Sequence, residues 1–213
     1  MFPEVTPYPR NRGVAAEDVG NLPDFDELPA EIQGKYRQFV RALMSYVDFQ
    51  QAAGIARYIV ASELNKRYPQ DRFALQGLNC GMVVAYCRPF SGNDQGLETK
   101  IPRLPLRTLQ VLTPEERELH GTLLEERNTI LAHSDSRAWE PQAYYMRVGT
   151  HVTLIPSFVH VHSPFLPEVV QRIESMATRL MEACFAERER LEPEVKPYLP
   201  VLEFHEDGSY TQL

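Results

Sequence analysis

The sequence predicts a mainly α-helical protein, an up-and-down bundle of four to five helices with a β-hairpin inserted before the last long helix. Two observations lead to this fold class. In several long segments the apolar residues recur every three or four positions, which is the spacing of one helix face. One segment around Val148, Gly149 and Thr150 is instead dense in β-branched and aromatic residues, which is typical of two strands joined by a tight turn.

Changes in composition along the chain predict three parts. Residues 1–28 are rich in proline and acidic residues and are expected to form an extended arm. Residues 29–192 are expected to form the helical domain, with the hairpin at about residues 142–162. Residues 193–213 are expected to form a C-terminal tail.

The first two predicted helices lie between Pro29 and Pro69. Pro29 can open the first helix, whose apolar residues at spacings of three and four continue to about Tyr46. A second helix is expected to follow with little break from Phe49. It should stop near Tyr68-Pro69, because helical geometry is disfavoured for a residue before proline.

The third predicted helix runs from Asp71, its N-cap, to Cys87. Its segment GMVVAYC is apolar nearly all round, so the helix is expected to be central. Cys80 lies seven residues before Cys87 and shares its helix face, where core packing is favoured over zinc binding because no further Cys or His stands beside them. Together with Cys184 they do not make a disulfide framework, which fits a reducing compartment.

The fourth predicted helix has the best start signal in the chain. Thr113 can be the N-cap, Pro114 suits the first helical position, and Glu116 completes a capping box. The helix is expected to end near His133 to Ser136.

After this helix the period changes, and QAYYMRVGTHVTLIPSFVHVHS predicts the hairpin. A long last helix follows, whose apolar stripe consists of Val169, Ile173, Met176, Leu180 and Cys184. In the tail, Asp207-Gly208 indicates a turn and with it a small hairpin.

The bulk composition limits the classes of function. A net charge of −7 and a pI near 5.4 argue against a broad electrostatic grip on nucleic acid, while a small local basic pocket is compatible with them. No stretch approaches the ~20 apolar residues of a membrane span, and the N-terminus does not resemble a secretory signal. A cytoplasmic location without membrane association is therefore expected.

The fourth helix carries polar residues on the face that should be packed. On a wheel with about 100° per residue, its apolar stripe centres near 65°, and Arg127 falls at about 80°. Glu116 and His120 lie on the same stripe, and His133 lies at its edge. A buried guanidinium without partners costs several kcal/mol, so Arg127 needs partners or a wet cavity. Either its head reaches water or pairs with Glu116 or another carboxylate, or this face meets a ligand or a symmetry mate.

The motif RNTILAH carries a family resemblance. The hallmark of the HEPN superfamily is Arg, then a polar residue, a few further positions and His. This motif resembles it, because the polar Asn128 follows Arg127 and five residues separate Arg127 from His133. The following Ser134-Asp135 and the earlier segment 86–90 are also similar to HEPN proteins of the abortive-infection type. The resemblance covers about residues 30–190; the hairpin within this range, like the arm and the tail, lies outside the family's core.

This resemblance implies a metal-independent endoribonuclease that acts as a homodimer, with Arg127, Asn128 and His133 as catalytic residues and no metal or other cofactor. It implies RNA as a partner, an antitoxin or regulator as another, and a role in phage defence or a toxin–antitoxin system. Asp135 stands where antitoxin-paired members often have Tyr. The alternative is a non-catalytic HEPN-fold module that binds a nucleotide or assembles with a protein.

The chemistry suits these residue types. A His with a pKa near neutrality can transfer the proton when an RNA 2′-hydroxyl attacks the adjacent phosphate, and an Arg can neutralise the charge that develops there. Arg127 and His133 are about 120° apart on an ideal helix, so a two-fold axis through this face is expected to form a shared cleft. Glu116, His120 and Asp135 are candidate supporting residues.

Other polar residues suggest weaker hypotheses. His151, His160 and His162 could form a metal site on the hairpin, although solvent-facing histidines are the default for such a strand. Aromatic residues that could stack on bases, but more often cover a bundle, are Trp139, Tyr144 and Tyr145. Arginines that could offset the charge of Asp135 are Arg103, Arg107 and Arg137.

Overall fold

The computed structural model describes residues 28–68, 70–91, 101–128, 142–157, 164–199, 202–204 and 210–212. The predicted mainly α-helical fold, with a hairpin before the last long helix, is confirmed. The helices are α1 Ala30–Ala61, α2 Arg72–Cys87, α3 Pro114–Glu126 and α4 Pro167–Val195, and the strands are β1 Gln142–Val148, β2 His151–Ser157, β3 Leu202–Phe204 and β4 Tyr210–Gln212. The predicted N-terminal arm lies outside the described residues, apart from the buried Leu28.

The two longest helices, α1 and α4, form the frame of the bundle. They run antiparallel, since Lys35 near the start of α1 binds Glu194 near the end of α4, whereas Arg57 binds Glu174 at the other end. Phe49 is fully buried on the inner face of α1. Burying an aromatic side chain of this kind stabilises the fold by roughly 2–3 kcal/mol relative to leaving it exposed.

The prediction of two helices between residues 30 and 68 is wrong at its centre. One continuous helix, α1, spans the expected break, because no proline or glycine stands between Tyr46 and Phe49 and the same face remains packed on α4. The helix ends at Ala61, where Glu63 takes a left-handed conformation (φ 50°) before a short 3₁₀ turn.

Several other local predictions agree with the structure, whereas the predicted end of the fourth helix near His133 to Ser136 lies outside the described residues. Asp71 precedes α2 as predicted, but its side chain makes no capping hydrogen bond. Helix α2 ends at Cys87 and passes into a 3₁₀ turn over Arg88–Phe90. Strands β1 and β2 pair antiparallel from Val148↔His151 outward, and Gly149 supplies the positive φ of 62° that their two-residue turn requires. The expected small hairpin in the tail is formed by β3 and β4.

Helix α4 continues to Val195, past the predicted domain boundary at residue 192. In the described part of the chain, every helix is too short or too polar to cross a bilayer.

Candidate active site at the end of α3

Helix α3 begins with the predicted capping box. The side chain of Thr113 accepts a hydrogen bond from the backbone N–H of Glu116 at 3.3 Å, and Glu116 Oε2 accepts one from the backbone N–H of Thr113 at 2.9 Å. Pro114 occupies the first helical position. These two reciprocal bonds satisfy backbone donors at the helix start and so define where α3 begins.

The face of α3 that the wheel predicts to be packed is buried in the structure. Leu123 has no exposed surface, and the polar Glu116 and His120 are only 8% and 5% exposed. The same stripe therefore buries both apolar and polar side chains, and each polar one needs internal partners.

Glu116 joins α3 to α4. Its Oε1 accepts a short hydrogen bond from Arg179, which also donates to the backbone oxygen of Val111 at 3.4 Å. Glu116, which the sequence analysis considered as a partner of Arg127, is thus bound to the guanidinium of Arg179 instead. The geometry gives Glu116 a capping and cross-linking role.

His120 lies in an aromatic cluster between α2 and α3. Its Nδ1 is 3.2 Å from the hydroxyl of Tyr86, and its ring packs edge-on against Phe90 with 4.5 Å between ring centroids. Burial lowers the pKa of His120 below its usual range. A buried neutral imidazole with these neighbours packs the interface and positions Tyr86.

Arg127 and Asn128 follow directly on Glu126, the last residue of α3. The backbone N–H of Arg127 still bonds to the carbonyl oxygens of Leu123 and Leu124, so this residue remains attached to the helix. Its side chain is half-buried, and its Nη1 donates to Asn128 Oδ1 at 2.9 Å. The guanidinium, which the wheel places near the centre of the packed stripe, is therefore only half-buried and is bonded to the exposed Asn128.

The end of α3 packs against the second half of α2. Cys87 Sγ donates to the carbonyl oxygen of Leu123 at 3.5 Å. Burial raises the pKa of Cys87 to about 12, with Arg127 acting in the opposite direction and Glu126 in the same one. This thiol is therefore protonated at neutral pH and serves the core, as the spacing of Cys80 and Cys87 predicted.

Glu126 is a site residue that the sequence reasoning missed. It is half-buried beside Arg127, burial raises its pKa, and its charge raises the pKa of Cys80 after the effect of burial. On the wheel it falls at about −20°, at the edge of the stripe, and this position could have identified it.

Several predicted site residues lie outside the described residues. These are His133 and Asp135, together with Arg137, Trp139, His160 and His162. On the hairpin, His151 and Tyr145 are exposed. Among the described residues, no group of three or more His, Cys, Asp or Glu side chains is placed to hold a metal ion.

Arg103 and Arg107 belong to a different part of the molecule. Both line a cavity between α1, residues 101–111 and α4, near the start of α3. Arg107 is bound to Glu187 at 3.2 Å.

Comparison with known proteins gave no match to a family model, to a curated protein or to a solved structure.

Proposed function

We propose that the protein is a metal-independent endoribonuclease of HEPN type, with Arg127, Asn128 and His133 at its active site. The observation that carries the proposal is the arrangement at the end of α3. A half-buried guanidinium is held by the side chain of the exposed Asn128.

The proposed reaction is transfer within the RNA backbone. The 2′-oxygen forms a bond to the adjacent phosphorus while the bond from phosphorus to the 5′-oxygen breaks, which leaves a cyclic phosphate and a free 5′-hydroxyl. His133 takes the proton of the 2′-hydroxyl or supplies one to the leaving oxygen. Arg127 donates two hydrogen bonds to the pentacovalent phosphorus centre, where negative charge builds up.

Asn128 supports this chemistry. Asn128 Oδ1 fixes the orientation of the Arg127 guanidinium, and its amide NH₂ remains a donor for a phosphate oxygen.

The active form in this proposal is a homodimer in which the two α3 helices meet across a two-fold axis. That symmetry brings two copies of Arg127 and His133 into one cleft, which the 120° separation estimated above prevents within a single straight helix. RNA is the substrate, an antitoxin or regulator is a further partner, and defence against phage is the setting. The proposed location is the cytoplasm.

Cleavage of RNA by the purified protein in EDTA tests the proposal. We expect His133→Ala and Arg127→Ala to lower the rate by at least about a hundredfold, the usual contribution of a proton-transfer or charge-stabilising group. His151→Ala and Arg147→Ala are matched controls, since both side chains are exposed on the hairpin and should leave the rate unchanged. Circular dichroism of each variant checks the fold. Equal activity in all four variants would remove the proposal.

The same bond between Arg127 and Asn128 is compatible with a second candidate, a non-catalytic HEPN-fold binding or assembly module. The guanidinium of Arg127 already has an internal partner in Asn128, as a structural arginine would. In that case the purified protein cleaves no RNA, and Arg127→Ala lowers the unfolding free energy or the binding of a nucleotide or protein ligand.

A further inference from the structure

A cavity of about 390 Å³ lies between α1, residues 101–111 and α4. Its volume falls within the range of small-molecule binding sites. Three separate parts of the chain form its wall, so no single sequence motif predicts it.

Its charged lining is strongly biased toward cations. Among the described residues that line it, the charged ones are Arg41, Arg103, Arg107 and Glu187, in a protein whose overall charge is negative. Inside a concave site lined by arginines, the electrostatic potential is positive even though the protein as a whole is acidic. Such a site attracts an anion.

Arg41 is the fixed cation of this wall. The residue is only 2% exposed, and its Nε donates to the carbonyl oxygen of Pro102 at 2.5 Å, which holds the guanidinium in place. Arg103 is exposed at the rim. A guanidinium that is already ordered loses less side-chain entropy when a ligand binds.

Arg107 and Glu187 form an internal counter-ion pair in the same wall. Arg107 Nη2 donates to Glu187 Oε1 at 3.2 Å, and Arg190 binds Glu187 at 2.8 Å. Glu187 thus has a second cation that can keep it neutralised while Arg107 turns to a bound anion. Half-exposed ion pairs of this kind cost little to exchange.

We propose that this cavity binds a small organic phosphate monoester. The dianionic phosphate lies against Arg41, Arg103 and Arg107, whose planar donor groups match its oxygens. The organic part lies against the apolar lining formed by Ala42, Leu104 and Val111. Two negative charges fit a lining in which three guanidiniums face one carboxylate.

This site is independent of the proposed ribonuclease centre. Val111 in the cavity wall precedes the start of α3, whereas Arg127 follows its end, and the 13 residues of the helix separate the two by about 20 Å.

Isothermal titration calorimetry with adenosine 5′-monophosphate and ribose 5-phosphate tests the proposal. We expect at least one ester to bind, with an affinity at least about tenfold higher than that of inorganic phosphate and of the corresponding unphosphorylated compound. Absence of binding by both esters overturns the proposal. Equal binding of inorganic phosphate also overturns it, because the organic part would then contribute nothing to binding. Equal binding of the unphosphorylated compound does so as well, because the phosphate would then contribute nothing.

Substitutions with opposite expected effects on ester binding test whether the ester binds in this cavity. Arg103→Gln and Arg107→Gln should each weaken ester binding by about tenfold, whereas Glu187→Gln should strengthen it because a negative charge leaves the wall. Arg57→Gln, an exposed ion-paired arginine on α1 outside the cavity, is the matched control. Arg127→Ala should leave ester binding unchanged, which separates this site from the ribonuclease centre. Binding that falls in Arg127→Ala but persists in the two cavity variants would overturn the assignment.

Discussion

At the scale of single residues, His120 serves in core packing and not in the proton transfer for which histidine is commonly used. Imidazole is the common proton-transfer group at neutral pH, yet this ring is buried between Tyr86 and Phe90. Its position on the packed stripe makes it a core histidine, and the proton transfer in the proposed reaction belongs to His133.

The buried state of His120 predicts a pH dependence of stability. Because burial holds its pKa below the usual 6.5, the unfolded chain takes up a proton that the folded protein does not as the pH falls below that value. Folding stability is therefore lost as the pH falls from about 6.5 toward the pKa of the folded state. We expect His120→Gln, which has no titrating ring, to lose less unfolding free energy between about pH 7.5 and pH 5 than the unaltered protein.

Urea unfolding at the two pH values measures this difference. His151→Gln is the matched control, since that side chain is exposed on β2. An unchanged pH dependence in His120→Gln would show that the buried ring does not contribute.

At the scale of elements, the start of α3 depends on hydrogen bonds within four residues. Removal of the Thr113 hydroxyl leaves the backbone N–H of Glu116 without its cap, while the bond from the backbone N–H of Thr113 to the Glu116 carboxylate does not depend on that hydroxyl. We expect Thr113→Ala to lower the unfolding free energy by about 1 kcal/mol. Thr122→Ala on the exposed face of the same helix should change it by less than about 0.5 kcal/mol. Chemical denaturation of both variants checks the pair, and equal effects would contradict a capping role.

Local elements such as this one are where sequence reasoning succeeded. The capping box and the turn at Gly149 involve atoms only a few residues apart, so their signals are complete in the sequence. The break expected after Tyr46 was wrong, because the continuity of α1 depends on its packing against α4. The partner of Glu116 stands 63 residues away at Arg179, and no local pattern could predict it.

At the scale of the whole molecule, the antiparallel pair of α1 and α4 is the frame on which the two proposed sites are built. Helices α1 and α4 contribute Arg41 and Glu187 to the cavity. Arg127 follows the C-terminal end of α3, which packs beside α2. The ester site is thus complete within one chain. The proposed ribonuclease centre instead needs a second copy of the chain, and this difference is measurable.

Mixing of two inactive variants tests the shared cleft. If the guanidinium of one subunit acts with the imidazole of the other, a dimer of one Arg127→Ala chain and one His133→Ala chain keeps one intact pair and loses the other. Random reassociation makes about half of the dimers mixed, so co-refolding equal amounts should restore about a quarter of the unaltered ribonuclease activity. Each variant refolded alone should stay inactive. A mixed preparation that gains no activity, although native mass spectrometry shows the mixed dimer, would place Arg127 and His133 of one reaction on the same chain and reject the cleft between subunits.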